Sequence, residues 1–227
     1  NIALASFLPE RYNPTLTMDA VLLFSGQGAQ KVGMGKDLYD QYPAAKALIE
    51  QADKAPGESL STIMFEGPGE ELTRTCNCQP ALYVHGLACL AVLKELVPSL
   101  NPVAAAGLSL GEFTAHAAAG TYSFEEGLRL VQKRGAFMEE ACNATKGTMA
   151  AMIGGTDENV IKLAQECDVD VANFNCPGQT VVSGTEEGVA KAVAGAKAAG
   201  CKIAKKLNVA GAYHSRLMHS AMVKLAE

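Results

Sequence analysis

Val103-Ala104-Ala105-Ala106-Gly107-Leu108-Ser109-Leu110-Gly111-Glu112-Phe113 is the stretch on which the reading of this chain turns. A short apolar run ends in Gly-x-Ser-x-Gly and passes straight into an alanine-rich segment, the strand, sharp turn and helix order of a nucleophile elbow. The glycines on either side of Ser109 have a steric reason, because so tight a turn leaves no room for a β-carbon on its close-packed neighbours. The hydroxyl then stands at a helix N-terminus, where backbone N–H groups and the helix dipole favour developing negative charge. Such geometry suits acyl transfer. The competing reading is a tight strand-to-helix turn with a capping serine.

Upstream, Ala20-Val21-Leu22-Leu23-Phe24 is a continuous apolar run, expected as a strand buried on both faces of a parallel sheet. It leads into Ser25-Gly26-Gln27-Gly28-Ala29-Gln30, a loop of backbone N–H groups with few large side chains. A dinucleotide-binding pattern would need glycine where Lys31 stands, and the Gly-Lys-Ser/Thr ending of a phosphate loop is absent. A strand-end loop that lends an N–H to an oxyanion fits better.

The spacing predicts one helix over 37–54, then a loop through Gly67-Pro68-Gly69, then a helix from Gln79-Pro80 to about Val97 with Pro98 beyond its end. His85 lies on that helix among apolar neighbours and reads as a satisfied core or boundary histidine. A helix from Leu110 closes at Gly120; His116 on it lies roughly 10 Å along the axis from Ser109, too far to serve as its base. Ser123-Phe124-Glu125-Glu126 is a capping box. The helix it starts carries an apolar stripe of Phe124, Leu128, Val131, Gly135 and Met138. Arg129 and Lys133 point away from that stripe, and Arg134 falls on its flank. Either Arg134 snorkels, or it is a bidentate clamp for a substrate carboxylate.

From 147 to 209 the pattern changes to strand, helix, strand, strand, helix, strand, the order of a ferredoxin-like unit inserted in a larger body. His214 follows the last of these strands on a loop, where a general base could reach back to Ser109. His219 falls in the next helix and ranks lower. The expected division is a leader or extension over 1–17, an α/β body over 18–146 and 210–227 with a parallel sheet, and a subdomain over 147–209.

The composition is 48% hydrophobic and 19% charged, with a formal net charge of −5, which argues against nucleic acid or anionic membrane as the main partner. No uninterrupted apolar run reaches the length of a bilayer span. Seven scattered cysteines, an odd number, suit a reducing compartment and buried thiols. Cys76-Asn77-Cys78 lacks the ligand spacing of zinc sites and reads as structural. No metal is expected.

Taken together, the segments Phe24–Gln30, Cys78–Ala81, Gly107–Phe113, Gln132–Gly135, Asn173–Gly178 and Ala212–Met218 resemble the malonyl-CoA:acyl carrier protein transacylases and the related polyketide acyltransferases. The resemblance runs from Ala20 to the C-terminus, in the family's order. It implies transfer of malonyl from malonyl-CoA to the phosphopantetheine thiol of acyl carrier protein through a malonyl ester on Ser109, with His214 as base and the backbone N–H groups of Gln27 and Leu110 as oxyanion hole. It further implies that Arg134 holds the malonyl carboxylate and that Gln79 and Asn175 line or brace the cleft. Coenzyme A enters as thioester substrate, with no cofactor, in a monomer of the bacterial cytoplasm, or of plastid or mitochondrial matrix in a eukaryote. Most of the family has histidine where Leu108 stands. Family members continue beyond the position of Glu227 with further strands and a polar residue that orients the histidine, so the chain reads as a fragment. The rival expectations are a serine thioesterase or hydrolase built on the same turn, and a truncated, non-catalytic module that binds acyl carrier protein.

Overall fold

The computed structural model describes residues 17–54 and 59–227, so the expected leader lies, apart from residue 17, outside the described residues. The fold mixes helices with a parallel and an antiparallel sheet. The chain divides into two compact units, 1–73 with 77–131 and 74–76 with 132–227.

In the first unit, β1 (Met18–Phe24) pairs in parallel with β2 (Leu100–Gly107), ending with Phe24 opposite Gly107. Between them run α1 (Lys36–Gln41), α2 (Pro43–Ala52), α3 (Leu60–Glu66), α4 (Gly69–Thr73) and α5 (Thr75–Leu96), and α6 (Leu110–Ala118) follows β2. The single helix expected over 37–54 is broken, because Pro43 forces Tyr42 into an extended conformation at φ −125°. The loop expected through 67–69 carries two short helices, the first capped by Ser59, whose Oγ accepts from the Thr62 N–H.

Helix α5 begins at Thr75, four residues before the start suggested by its proline. Pro80 lies inside it, where it has no N–H to bond the preceding turn. By length and composition α5 could cross a membrane, but 61% of its most apolar window is buried inside the protein. Tyr83 and Val84 from α5 join Ile49, Met64, Leu72 and Val131 in one core, where burial of apolar area is the main stabilising term. It is a core helix.

Strand β1 is not buried on both faces. Its residues alternate between half-buried and exposed, and Val21 and Leu23 are 58% and 78% exposed, as is Val103 of β2 at 58%. The period-2 alternation is that of strands covered on one side, where α6 packs.

Helix α7 (Phe124–Ala144) carries the reciprocal cap expected of its sequence: Ser123 N–H donates to Glu126 Oε2 at 2.8 Å and Glu126 N–H to Ser123 Oγ at 3.2 Å. The division between units falls within it, after Val131. The second unit continues with β3 (Gly147–Ile153), α8 (Asp157–Glu166), β4 (Asp170–Cys176), β5 (Gln179–Thr185), α9 (Glu186–Gly195), β6 (Ile203–Lys206) and α10 (His219–Ala226). Its strands form one antiparallel sheet in the order β4-β5-β3-β6. Strand alternation explains its two cores: Ala150, Met152 and Val182 meet Val160, Leu163 and Val189 of α8 and α9, while Met149, Ala151 and Val181 meet Met138, Tyr213 and Met218.

Candidate active site

Ser109 stands between the end of β2 and the start of α6 with φ 53° and ψ −103°, a left-handed conformation that a residue with a side chain adopts rarely. Backbone contacts hold it there. Leu108 N–H donates to the Phe24 carbonyl at 3.1 Å, and the Gly111 and Glu112 N–H groups donate to the Leu108 and Ser109 carbonyls. A β-carbon on Gly107 would lie 1.9 Å from the Gly111 carbonyl carbon, and one on Gly111 would lie 2.3 Å from the Phe24 carbonyl oxygen. No side chain fits at either position, so the turn closes only because both are glycine.

Leu110 is the first residue of α6, so its N–H has no acceptor within the helix and lies beside Ser109 at the positive end of the dipole. Gln27 follows β1 in a loop fixed by its own polar groups, with the Gly28 N–H donating to Gln30 Oε1 at 2.7 Å. The Cys78 thiol meets the Gly28 backbone, and burial holds that thiol protonated at a pKa of about 12. Gln79, next along α5, is 1% exposed and is not without a partner. His116 is exposed and its Nδ1 lies 3.3 Å from Thr121 Oγ1. His85 is half-buried with the Cys89 thiol 3.7 Å from its Nδ1; burial lowers its pKa, and it is the satisfied boundary histidine its neighbours suggested.

In the second unit, Arg134 and His214 line one cleft of about 390 Å³, together with Met138, Met218 and His219. Arg134 is half-buried where Arg129 and Lys133 are exposed. The next residue, Gly135, faces the Thr75 carbonyl, which its missing β-carbon would approach to 2.7 Å, so α7 is seated closely at this point. His214 also takes a left-handed backbone, φ 55°. Its neighbours fix the loop: Tyr213 is buried with its hydroxyl 2.6 Å from Thr75 Oγ1, and Ser215 Oγ donates to the Ala212 carbonyl at 2.6 Å while accepting from the Leu217 N–H. The cleft joins a cation to an imidazole on apolar methionine walls, a surface that can hold a small anionic acyl group.

Asn175 is not among the residues lining that cleft. It is exposed on β4 at a bulge, skipped in the ladder between Phe174 opposite Thr180 and Cys176 opposite Gln179. Arg216, which the sequence reading passed over, lines the cleft and is tied to Asp168 and Asp170. Only the fold brings these residues together, since more than forty positions separate them in sequence.

The chain belongs to the acyl transferase domain family, whose model matches residues 21–227. Within the family it falls with the malonyl CoA-acyl carrier protein transacylases. The curated protein of that name from Bacillus subtilis is 47% identical over 210 residues, covering 90% of this chain and 66% of the relative, and the one from Escherichia coli is 40% identical over 208 residues, covering 90% and 67%. Among solved structures, the malonyl CoA-acyl carrier protein transacylase of Coxiella burnetii superposes with a TM-score of 0.87 at 36% identity, over 93% of this chain and 67% of that one. A malonyl-transacylase solved in complex with its type II polyketide acyl-carrier protein gives a TM-score of 0.86 at 37% identity, over 91% and 68%. The chain spans about two thirds of the length of the curated relatives it matches.

Proposed function

We propose that this chain carries the malonyl-transfer chemistry of its family: malonyl moves from malonyl-CoA to the phosphopantetheine thiol of acyl carrier protein by way of an ester on Ser109. The observation that carries the reading is the strained left-handed serine held at the start of α6 between Gly107 and Gly111. On this reading the turn is a nucleophile elbow, and 147–209, with its strand order β4-β5-β3-β6, is a ferredoxin-like subdomain inserted in an α/β body formed by 18–146 and 210–227.

In the first half-reaction, Ser109 Oγ attacks the thioester carbonyl and its proton passes to His214. The N–H groups of Gln27 and Leu110 receive the oxyanion, a contribution of about 3 kcal/mol where such donors have been removed. Collapse breaks the carbon–sulfur bond, and the coenzyme A sulfur leaves with the proton from His214. In the second half-reaction the carrier's thiol gives its proton to His214 and attacks the ester, and Ser109 recovers the proton as the new thioester forms. Arg134 pairs with the free carboxylate of malonyl throughout, and Gln79 braces the surroundings of the first unit. The site calls on no cofactor, coenzyme A being consumed as part of the substrate. The bacterial organisms of its relatives favour a bacterial cytoplasmic setting.

Intact-mass measurement after mixing with malonyl-CoA tests this. The protein is expected to gain one malonyl group and to pass it to holo acyl carrier protein faster than to water. Ser109→Ala is expected to abolish the gain, and label that survives the substitution would overturn the assignment.

A further inference from the structure

Among the described residues, three that are not glycine hold a left-handed backbone: Ser109, Asp168 and His214. Strain of this kind persists only where the surroundings over-determine it. Two of the three lie in the second unit, and one arginine reaches from beside His214 to the other.

Arg216 stands two positions after His214. Its Nη2 lies 2.8 Å from Asp168 Oδ1 and donates to the Asp168 carbonyl at 2.9 Å. Its Nε lies 3.3 Å from Asp170 Oδ2, and its backbone N–H donates to that same oxygen at 2.8 Å. The 213–216 loop is therefore fastened on both sides of His214, by the buried Tyr213–Thr75 hydroxyl contact before it and by the Asp168–Asp170 corner after it. The arginine side chain is 53% exposed and that of Asp168 87%, so the ion pairs are screened and contribute little to global stability. Their geometry does something else. A guanidinium fork that meets a carbonyl and two carboxylates fixes direction as well as distance, which a point charge does not.

We propose that Arg216, locked to Asp168 and Asp170, is a positioning residue for His214, holding the left-handed backbone that aims the imidazole into the cleft. The proposal rests on His214 being the general base of the reaction above. His214 and Arg216 line the same cleft, so loss of the clamp acts where the proton moves.

The test compares the full chain with Arg216→Ala, Arg216→Lys and Asp168→Gly. Arg216→Ala is expected to slow formation of the malonyl ester about ten-fold, since small misplacements of a reacting group are costly, with KM for malonyl-CoA changed less than about two-fold. Arg216→Lys recovers part of the rate, and molar salt brings the wild-type rate toward that of Arg216→Ala. Asp168→Gly relieves the backbone strain and removes the carboxylate, so it lowers the rate while leaving Tm level or raised. Independently of activity, the ring resonances of His214 in histidine-labelled protein, assigned through His214→Gln, are expected to be a single set in the wild type and broadened or doubled in Arg216→Ala. An Arg216→Ala protein that acylates at the wild-type rate, or whose slowing tracks a fall in Tm with His214 resonances unmoved, overturns the proposal. If the wild type forms no malonyl ester, the transfer reading fails, and the His214 resonances still decide the positioning.

Discussion

At Ser109 a backbone conformation that costs energy is kept at the start of α6 by neighbours, Gly107 and Gly111, packed too closely for any side chain of their own. Arg134 is argued at the same scale. If its guanidinium holds the malonyl carboxylate, Arg134→Ala is expected to cut malonyl acylation roughly a hundred-fold while acetyl transfer falls far less, because only malonyl loses a charge-assisted bond. Rates with malonyl-CoA and acetyl-CoA side by side check it, and equal loss of both removes the clamp role. His85 gives a pH signature. Burial holds its pKa below the ordinary value, so the folded chain binds fewer protons than the unfolded one in that window. The associated stability is therefore present above the unfolded value of about 6.5 and is lost as pH falls toward the folded value. Urea denaturation at pH 7.5 and pH 5.5 is expected to show that loss, and His85→Gln to flatten it.

Among the elements, the turn from β2 into α6 is the one that tolerates least. Gly111→Ala places a methyl 2.3 Å from the Phe24 carbonyl oxygen, a backbone atom that cannot swing aside. Overpacking of this kind costs about 1–3 kcal/mol, and the substitution is expected to lower Tm and to abolish acylation together, as thermal melts and intact-mass measurement will read. The strand–turn–helix order here was legible because Gly-x-Ser-x-Gly constrains sterics locally, and so was the cap at Ser123 and Glu126, whose partners lie three residues apart. The break at Tyr42 was equally local and was missed because helical spacing on both sides of Pro43 masked the proline's effect on the residue before it. At Pro80 the reverse holds: proline favours a first turn, whereas α5 runs back to Thr75 despite the bond that Pro80 cannot make. The Arg216 clamp could not be read at all, because nothing in the sequence near Arg216 announces Asp168 and Asp170.

Over the whole molecule, the antiparallel sheet of the second unit was readable from 147 to 209 because short apolar runs alternate there with helical spacing; β3 and β5 are buried on both faces, alternate residues of each meeting different cores. The parallel pair was misread in one respect. A continuous apolar run does not say how many faces will be covered, and Val21, Leu23 and Val103 remain more than half exposed. A charge placed there should be harmless to folding, since little packing is lost. Leu23→Lys is expected to change Tm by no more than a degree or two while lowering the fluorescence of an apolar dye such as ANS, and a large fall in Tm would show that the leucine is packed after all.

That bare strip of valine and leucine also sets how the protein behaves in concentrated salt. Sulfate is excluded from protein surfaces and drives wet hydrocarbon together, so this strip, with the similarly exposed Leu108, Phe174, Ile203 and Met222, lowers the salting-out threshold. Leu23 is the most exposed of these large apolar side chains, so Leu23→Lys is expected to raise the ammonium sulfate concentration at which the chain begins to precipitate.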